Sequence, residues 1–115
     1  MRAIILFVAL FTSGVAQAHA VLDHAKPKVG STVASAPHEV VLWFTEAVES
    51  KFSSIEVVND KGVPVQVGNT SLAGESAALR VSLKPLPAGT YKVLWKVLSV
   101  DTHRTQGTFT FTVGR

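Results

Sequence analysis

Apolar and polar residues alternate with a period of two through most of this chain. Val40, Leu42 and Phe44 share one face of the run 40–44, and Ile55 and Val57 share another. Val63, Val65 and Val67 alternate with Pro64 and Gln66, and Leu79, Val81 and Leu83 with Arg80 and Ser82. Tyr91, Val93, Trp95 and Val97 alternate with Lys92, Leu94 and Lys96, and Phe109, Phe111 and Val113 with Thr108, Thr110 and Thr112. Successive side chains of a strand point to opposite faces, so this pattern predicts half-buried β-strands. With residues 20–24 as a first strand, about seven are expected. Trp43 has the opposite parity from its apolar neighbours, which predicts a place over a site or against other structure.

The breaks between these runs carry turn chemistry. Asn59-Asp60-Lys61-Gly62 predicts a hairpin turn whose glycine takes positive φ. Pro64 just after it marks an edge strand or a strand start. Gly68-Asn69-Thr70 and Leu72-Ala73-Gly74 read as one longer loop, and residues 84–89 as another. Seven short strands in about a hundred residues form either a two-sheet Greek-key sandwich or a small barrel.

The first eighteen residues break the pattern. Met1-Arg2 starts positive, residues 3–11 are continuously apolar, and Val15-Ala16-Gln17-Ala18 ends in small-x-small. That is the architecture of a cleavable secretory signal peptide. The expected organisation is a signal at 1–18 and one domain at 19–115, working outside the cytoplasm. The apolar run is too short to span a bilayer, so no membrane segment is expected in the mature chain. Its formal net charge would be +2, from ten Lys/Arg and eight Asp/Glu. This mild balance, without basic clusters, excludes a nucleic-acid-binding reading. No disulfide can form without Cys, and the only Met would leave with the signal.

Cleavage after Ala18 would make His19 the first residue, offering an α-amine and an imidazole to one metal ion. A second candidate is Asp101-Thr102-His103, between the 91 and 109 strands. In an extended chain, residues two apart point the same way, so a carboxylate and an imidazole would face one point. Glu46 lies just past the run 40–44. A nitrogen-rich N/O set of this kind suits Cu(II), with Zn(II) and Ni(II) as competitors. Soft sulfur ligands, which select Cu(I), are missing from residues 19–115. His38, beside Pro37, reads as a loop residue.

At several of these positions the chain resembles the CopC family of bacterial periplasmic copper-binding proteins. The matching segments are Ala16-Gln17-Ala18-His19-Ala20, VVLWFTE at 40–46, Phe52-Ser53, residues 87–95, VLSVDTH at 97–103 and GTFTFTV at 107–113. The resemblance implies an Ig-like Greek-key β-sandwich and a Cu(II) site. Its ligands would be the amine and imidazole of His19, with Asp101 and His103. Glu46 matches a family carboxylate near the metal, as a ligand or a group supporting one. His24 stands where many relatives have Ser; it is a further ligand candidate or a surface histidine. Some relatives carry a Met-rich loop for Cu(I), but here the matching place is the turn at 59–62, without Met.

The implied activity is carriage or buffering of Cu(II) in copper homeostasis, resistance or uptake, not catalysis. A CopD-type inner-membrane copper transporter is the implied partner, and a monomer is expected. Two other classes compete. One is a small N-terminal-His copper oxidase or monooxygenase, against which stand the short chain and the absence of a Tyr beside the site. The other is a metal-free Ig-like interaction module.

Overall fold

The computed structural model describes residues 20–114. The proposed cleavage site and His19 therefore lie outside the described residues. Eight strands form in chain order: β1 (Leu22–Lys26), β2 (Thr32–Val33), β3 (Glu39–Phe44), β4 (Ser54–Val58), β5 (Gln66–Leu72), β6 (Ala78–Leu83), β7 (Gly89–Leu98) and β8 (Arg104–Val113). A single 3-10 turn, Ser50–Phe52, precedes β4. One sheet has the order β1-β3-β6-β5 and the other β2-β8-β7-β4. All pairings are antiparallel except the short β2–β8 pair. The expected all-β Greek-key sandwich is the observed architecture. The eighth strand is the two-residue β2, too short to leave a periodic trace.

The alternating positions face each other across the two sheets. Val40, Leu42 and Phe44 of β3 and Leu79, Val81 and Leu83 of β6 are buried from one side. Ile55 and Val57 of β4, Tyr91, Val93, Trp95 and Val97 of β7, and Phe109, Phe111 and Val113 of β8 are buried from the other. The long β7–β8 hairpin runs in register from Gly89 opposite Val113 to Leu98 opposite Arg104. Opposite Trp95 stands Gly107, and a Cβ there would lie 2.6 Å from the Trp95 ring. The glycine leaves room for the indole to lie across β8 beside Phe44, whose ring meets it edge-on at 5.2 Å.

The segment 59–72 departs from expectation. The turn forms as read: Gly62 has φ 78°, and Asn59 Oδ1 accepts from the N–H groups of Lys61 and Val63. Beyond it Val63 and Val67 are about half exposed, and only Val65 reaches the core. Here the chain leaves one sheet for the other. Val65 N–H still donates to Val57 O of β4, while Gln66 already pairs with Leu83 of β6. The expected loop at 68–70 is instead part of β5, where three residues oppose Val81 alone.

β4 and β5 are edge strands of opposite sheets. Thr70 Oγ1 accepts from Ile55 N–H at 3.0 Å, and Gln66 Oε1 from Val57 N–H at 2.9 Å. Polar side chains of β5 thus satisfy the outward amides of β4, blunting an edge that would otherwise template pairing with another chain. The first strand begins two residues later than expected, at Leu22, with a register shift between Leu22 and His24. No helix among the described residues is long and apolar enough to cross a membrane.

Candidate metal centre

β7 carries its inward parity one step past its end, and at that step stands Ser99. Its side chain is fully buried, the single polar residue buried among those described. A buried hydroxyl must find partners, and Ser99 finds them in the turn that follows. Its O–H donates to Asp101 Oδ1, and its oxygen accepts from His103 N–H at 3.2 Å. The backbone closes the same turn: Ser99 N–H donates to His103 O, and Thr102 N–H to Ser99 O, both at 2.9 Å.

Asp101 and His103 do come together, with His103 Nδ1–H donating to Asp101 Oδ1 at 3.2 Å. The cause is not the extended backbone that the i, i+2 argument assumed. Thr102, between them, has φ 74°, and the turn folds the two side chains to one side. Left-handed backbone is costly for a β-branched residue, of order 1–3 kcal/mol. Thr102→Gly is expected to raise stability by about 1 kcal/mol after glycine's own entropy loss. An increased denaturation midpoint in urea, at unchanged slope, checks this.

The carboxyl of Asp101 is held below the ordinary aspartate value of 3.8. The Ser99 hydroxyl contributes most; partial desolvation opposes it, and hydrogen bonds and charge from His103 add to the lowering. The stabilisation linked to this depressed value is fully present above the unfolded pKa and is lost as pH falls through the folded one. The group is thus a carboxylate throughout the neutral range.

Two further segments meet this turn. After β3, Ala47 O accepts from Val100 N–H at 3.1 Å, and Glu49 N–H donates to Leu98 O at 2.8 Å. Val48 forms a bridge with Ser99. Half-buried Glu46 lies on this segment, beside the turn. The chain at 20–21 is clamped from both sides. Thr105 Oγ1 donates to Ala20 O at 2.7 Å, Val21 N–H to Thr45 Oγ1 at 3.0 Å, and Thr45 N–H to Val21 O at 2.9 Å.

His24 stands elsewhere. It is opposite Trp43 on the outer face of the first sheet, its ring stacked on the indole at 4.4 Å and 6°. Asp23 Oδ2 accepts from its Nδ1 at 2.7 Å. This explains the odd parity of Trp43, which covers the outer face under an imidazole rather than the core. His38 is exposed in the bend before β3, where its carbonyl accepts from Leu83 N–H. Among the described residues no three His, Asp or Glu converge as a metal-holding group. Asp101 and His103 form a pair, and Glu46 and His24 do not complete it.

As a pair they suit a metal ion. The Nδ1–Oδ1 contact of 3.2 Å brings the carboxylate and the imidazole to one side of the turn. With Nδ1–H turned to the carboxylate, Nε2 carries the imidazole lone pair.

The profile of the CopC domain matches residues 22–114. The chain belongs to the CopC family. Among its relatives, Protein YobA of Escherichia coli strain K12 is 39% identical over 95% of this chain and 89% of its own. Copper resistance protein C of Escherichia coli is 37% identical over 85% of this chain and 83% of its own. Among solved structures, CopC from Methylosinus trichosporium OB3b superposes with a TM-score of 0.78 at 33% identity, covering 84% of this chain and 94% of that one. PcoC of Escherichia coli, described as a methionine-rich copper resistance protein, gives 0.74 at 34% identity over 84% and 99%. This CopC-family member differs in having no methionine past Met1. Its function is related to copper, as the names of copper resistance protein C and PcoC state for those relatives.

Proposed function

We propose that this protein is a periplasmic Cu(II) carrier, exported by the signal at 1–18 and cleaved after Ala18. The α-amine and imidazole of His19, with Asp101 and His103, hold the ion, and Glu46, on the segment beside the turn, supports the site without ligating. The protein acts as a monomer and passes copper to a CopD-type inner-membrane transporter; it is not a catalyst.

The observation that carries this reading is the clamp on Ala20. Thr105, which holds the Ala20 carbonyl, is the second residue of β8, and His103 immediately precedes that strand. Ala20 is the neighbour of residue 19 in the sequence, and its clamp next to the start of β8 supports reading His19 as a ligand together with Asp101 and His103. Hand-over to a transporter is supported by the name of copper transport protein CutJ of Bacillus subtilis. It is 32% identical over 97% of this chain, which covers only 21% of CutJ. A CopC-like portion there is part of a longer chain bearing a transport name. The oxidation state follows from the donors: imidazole, amine and carboxylate favour Cu(II), and the sulfur ligands that select Cu(I) are absent from residues 19–115.

The test is a copper titration of protein exported from the full chain, with its first residue read by mass spectrometry. One equivalent of Cu(II), with a d–d band saturating at that ratio, is expected. Absence of a stoichiometric band overturns the carrier reading. Affinity is expected to fall as pH drops from 8 to 5, because protons compete with the metal for its nitrogen donors. Asp101 does not add to that loss, since its carboxyl is already ionised there. Affinity independent of pH across this window would rule out nitrogen ligation.

A further inference from the structure

Ser99 has a place in this site that its sequence neighbours do not announce. It is a small polar residue at an inward position, following Tyr91, Val93, Trp95 and Val97 in parity, and it is as buried as they are. The ordinary expectation there is an apolar side chain. A hydroxyl so placed costs free energy unless its hydrogen bonds are made. All its side-chain bonds run to the two residues of the metal pair: it donates to Asp101 Oδ1 and accepts from His103 N–H, with His103 O also 3.2 Å away.

We propose that Ser99 is a positioning residue for copper capture: its hydroxyl fixes the direction of the Asp101 carboxylate and ties it to the His103 backbone. This rests on the Cu(II) reading of the turn. The physical reason is rotamer freedom. Asp101 is partly exposed, and an unrestrained aspartate on a surface turn samples several χ1 wells. Only some of them place an oxygen 3.2 Å from the His103 imidazole. The Ser99 side chain is fully buried, and its backbone is held by the Val48 bridge and by the bond to His103, so its hydroxyl is confined to this turn. One oxygen of the carboxylate is thereby held at a fixed point, and the other remains for an incoming cation. The same oxygen of Ser99 accepts the His103 amide, so the two donors share one anchor. Ordering the donors before the ion arrives removes an entropy cost from binding.

The experiment compares Cu(II) affinity and the copper EPR spectrum of exported wild-type protein with Ser99→Ala, Ser99→Thr, Asp101→Ala and the double variant Ser99→Ala/Asp101→Ala. Circular dichroism establishes that each is folded. Ser99→Ala is expected to bind Cu(II) about 10–100-fold more weakly, the usual effect of losing a partner behind a metal ligand, with a changed EPR spectrum. Ser99→Thr keeps the hydroxyl and is expected to restore the affinity. In the Asp101→Ala background, Ser99→Ala is expected to change affinity less than threefold, because the residue through which it acts is gone.

Should Ser99→Ala fail to fold, Ser99→Gly takes its place in the same cycle. If Asp101→Ala weakens binding but removal of the hydroxyl does not, the proposal for Ser99 is overturned while the copper site stands. A loss that persists undiminished without Asp101 also overturns it, by showing a purely structural role. If wild-type protein binds no Cu(II), or Asp101→Ala binds as wild type, the site reading fails and the inference fails with it.

Discussion

His103→Ala is expected to weaken Cu(II) binding by more than about a hundredfold, or about 2.8 kcal/mol at 1.4 kcal/mol per tenfold. The comparison is with outer partners of metal ligands, whose loss costs about 10–100-fold. His103 is proposed as a direct donor, so its removal should exceed that range. The substitution deletes an imidazole and leaves Asp101 without its Nδ1–H partner. It leaves the backbone bonds that close the turn, since Ser99 N–H still meets the carbonyl at 103 and Ser99 oxygen still meets the amide. The fold should therefore survive, and the effect should lie in binding alone.

His19→Ala is expected to produce a comparable loss, because it removes the imidazole of the proposed chelate while leaving an amine. His38→Ala, in an exposed bend on another loop, is expected to bind as wild type. Isothermal titration in the presence of a competing chelator measures all three. Wild-type affinity in His103→Ala would move the site away from the β7–β8 turn, and equal losses in all three would indicate non-specific binding by histidines.

Much of the fold was legible because its core positions are strictly alternating. Wherever a strand has one face on the core and the other on water, period two is imposed by burial, as in β7, β8 and β6 from Leu79 on; in β3 Val41 is buried as well, between Val40 and Leu42. β5 escaped because it is exposed on both faces for most of its length and interrupts its own register. Its signal was instead in Gln66 and Thr70, which are polar because they bond to the amides of β4, a pairing that no local pattern encodes. The valines at 63 and 67 misled for the converse reason: they alternate, but on a segment passing between sheets.

Within the site, the spacing of Asp101 and His103 identified the pair, yet for a reason that did not hold. Extended backbone was assumed, and a turn with Thr102 in the left-handed region delivers the contact. Ser99 was legible in principle. It is a hydroxyl at a position whose parity demands burial, two residues before a carboxylate, so its hydrogen bonds have to be made within the turn that follows. Trp43 was flagged by parity, but its partner was not, because the bulge in β1 that brings His24 opposite it has no signature in composition.

Stability and binding should be separable in this molecule, and Phe111→Ala is the substitution that separates them. Phe111 is fully buried on β8 and stacks on Tyr91 of the paired strand with ring centres 5.5 Å apart. Tyr91 is itself fixed by donating its hydroxyl to Pro87 O at 2.6 Å, so it cannot swing into the space left behind. A core that does not collapse around a deletion loses both the transfer energy and the packing of the cavity walls, about 3–5 kcal/mol for Phe→Ala. Domains of this size have only about 5–15 kcal/mol in all. At roughly 4–8 °C per kcal/mol, the midpoint should fall by at least about 12 °C.

Phe111 is eight residues along β8 from His103, about 26 Å at 3.3 Å per residue. The turn holding Ser99, Asp101 and His103 should not register the change at temperatures where the variant is folded. In the proposed site the four donors converge only in the folded chain, so saturating Cu(II) should raise the midpoints of wild type and Phe111→Ala by similar free energies. Urea denaturation with and without Cu(II) reads both terms. A loss below about 1 kcal/mol would mean that the Tyr91–Phe111 layer repacks. An unequal copper increment would mean that the core and the turn are coupled along β8.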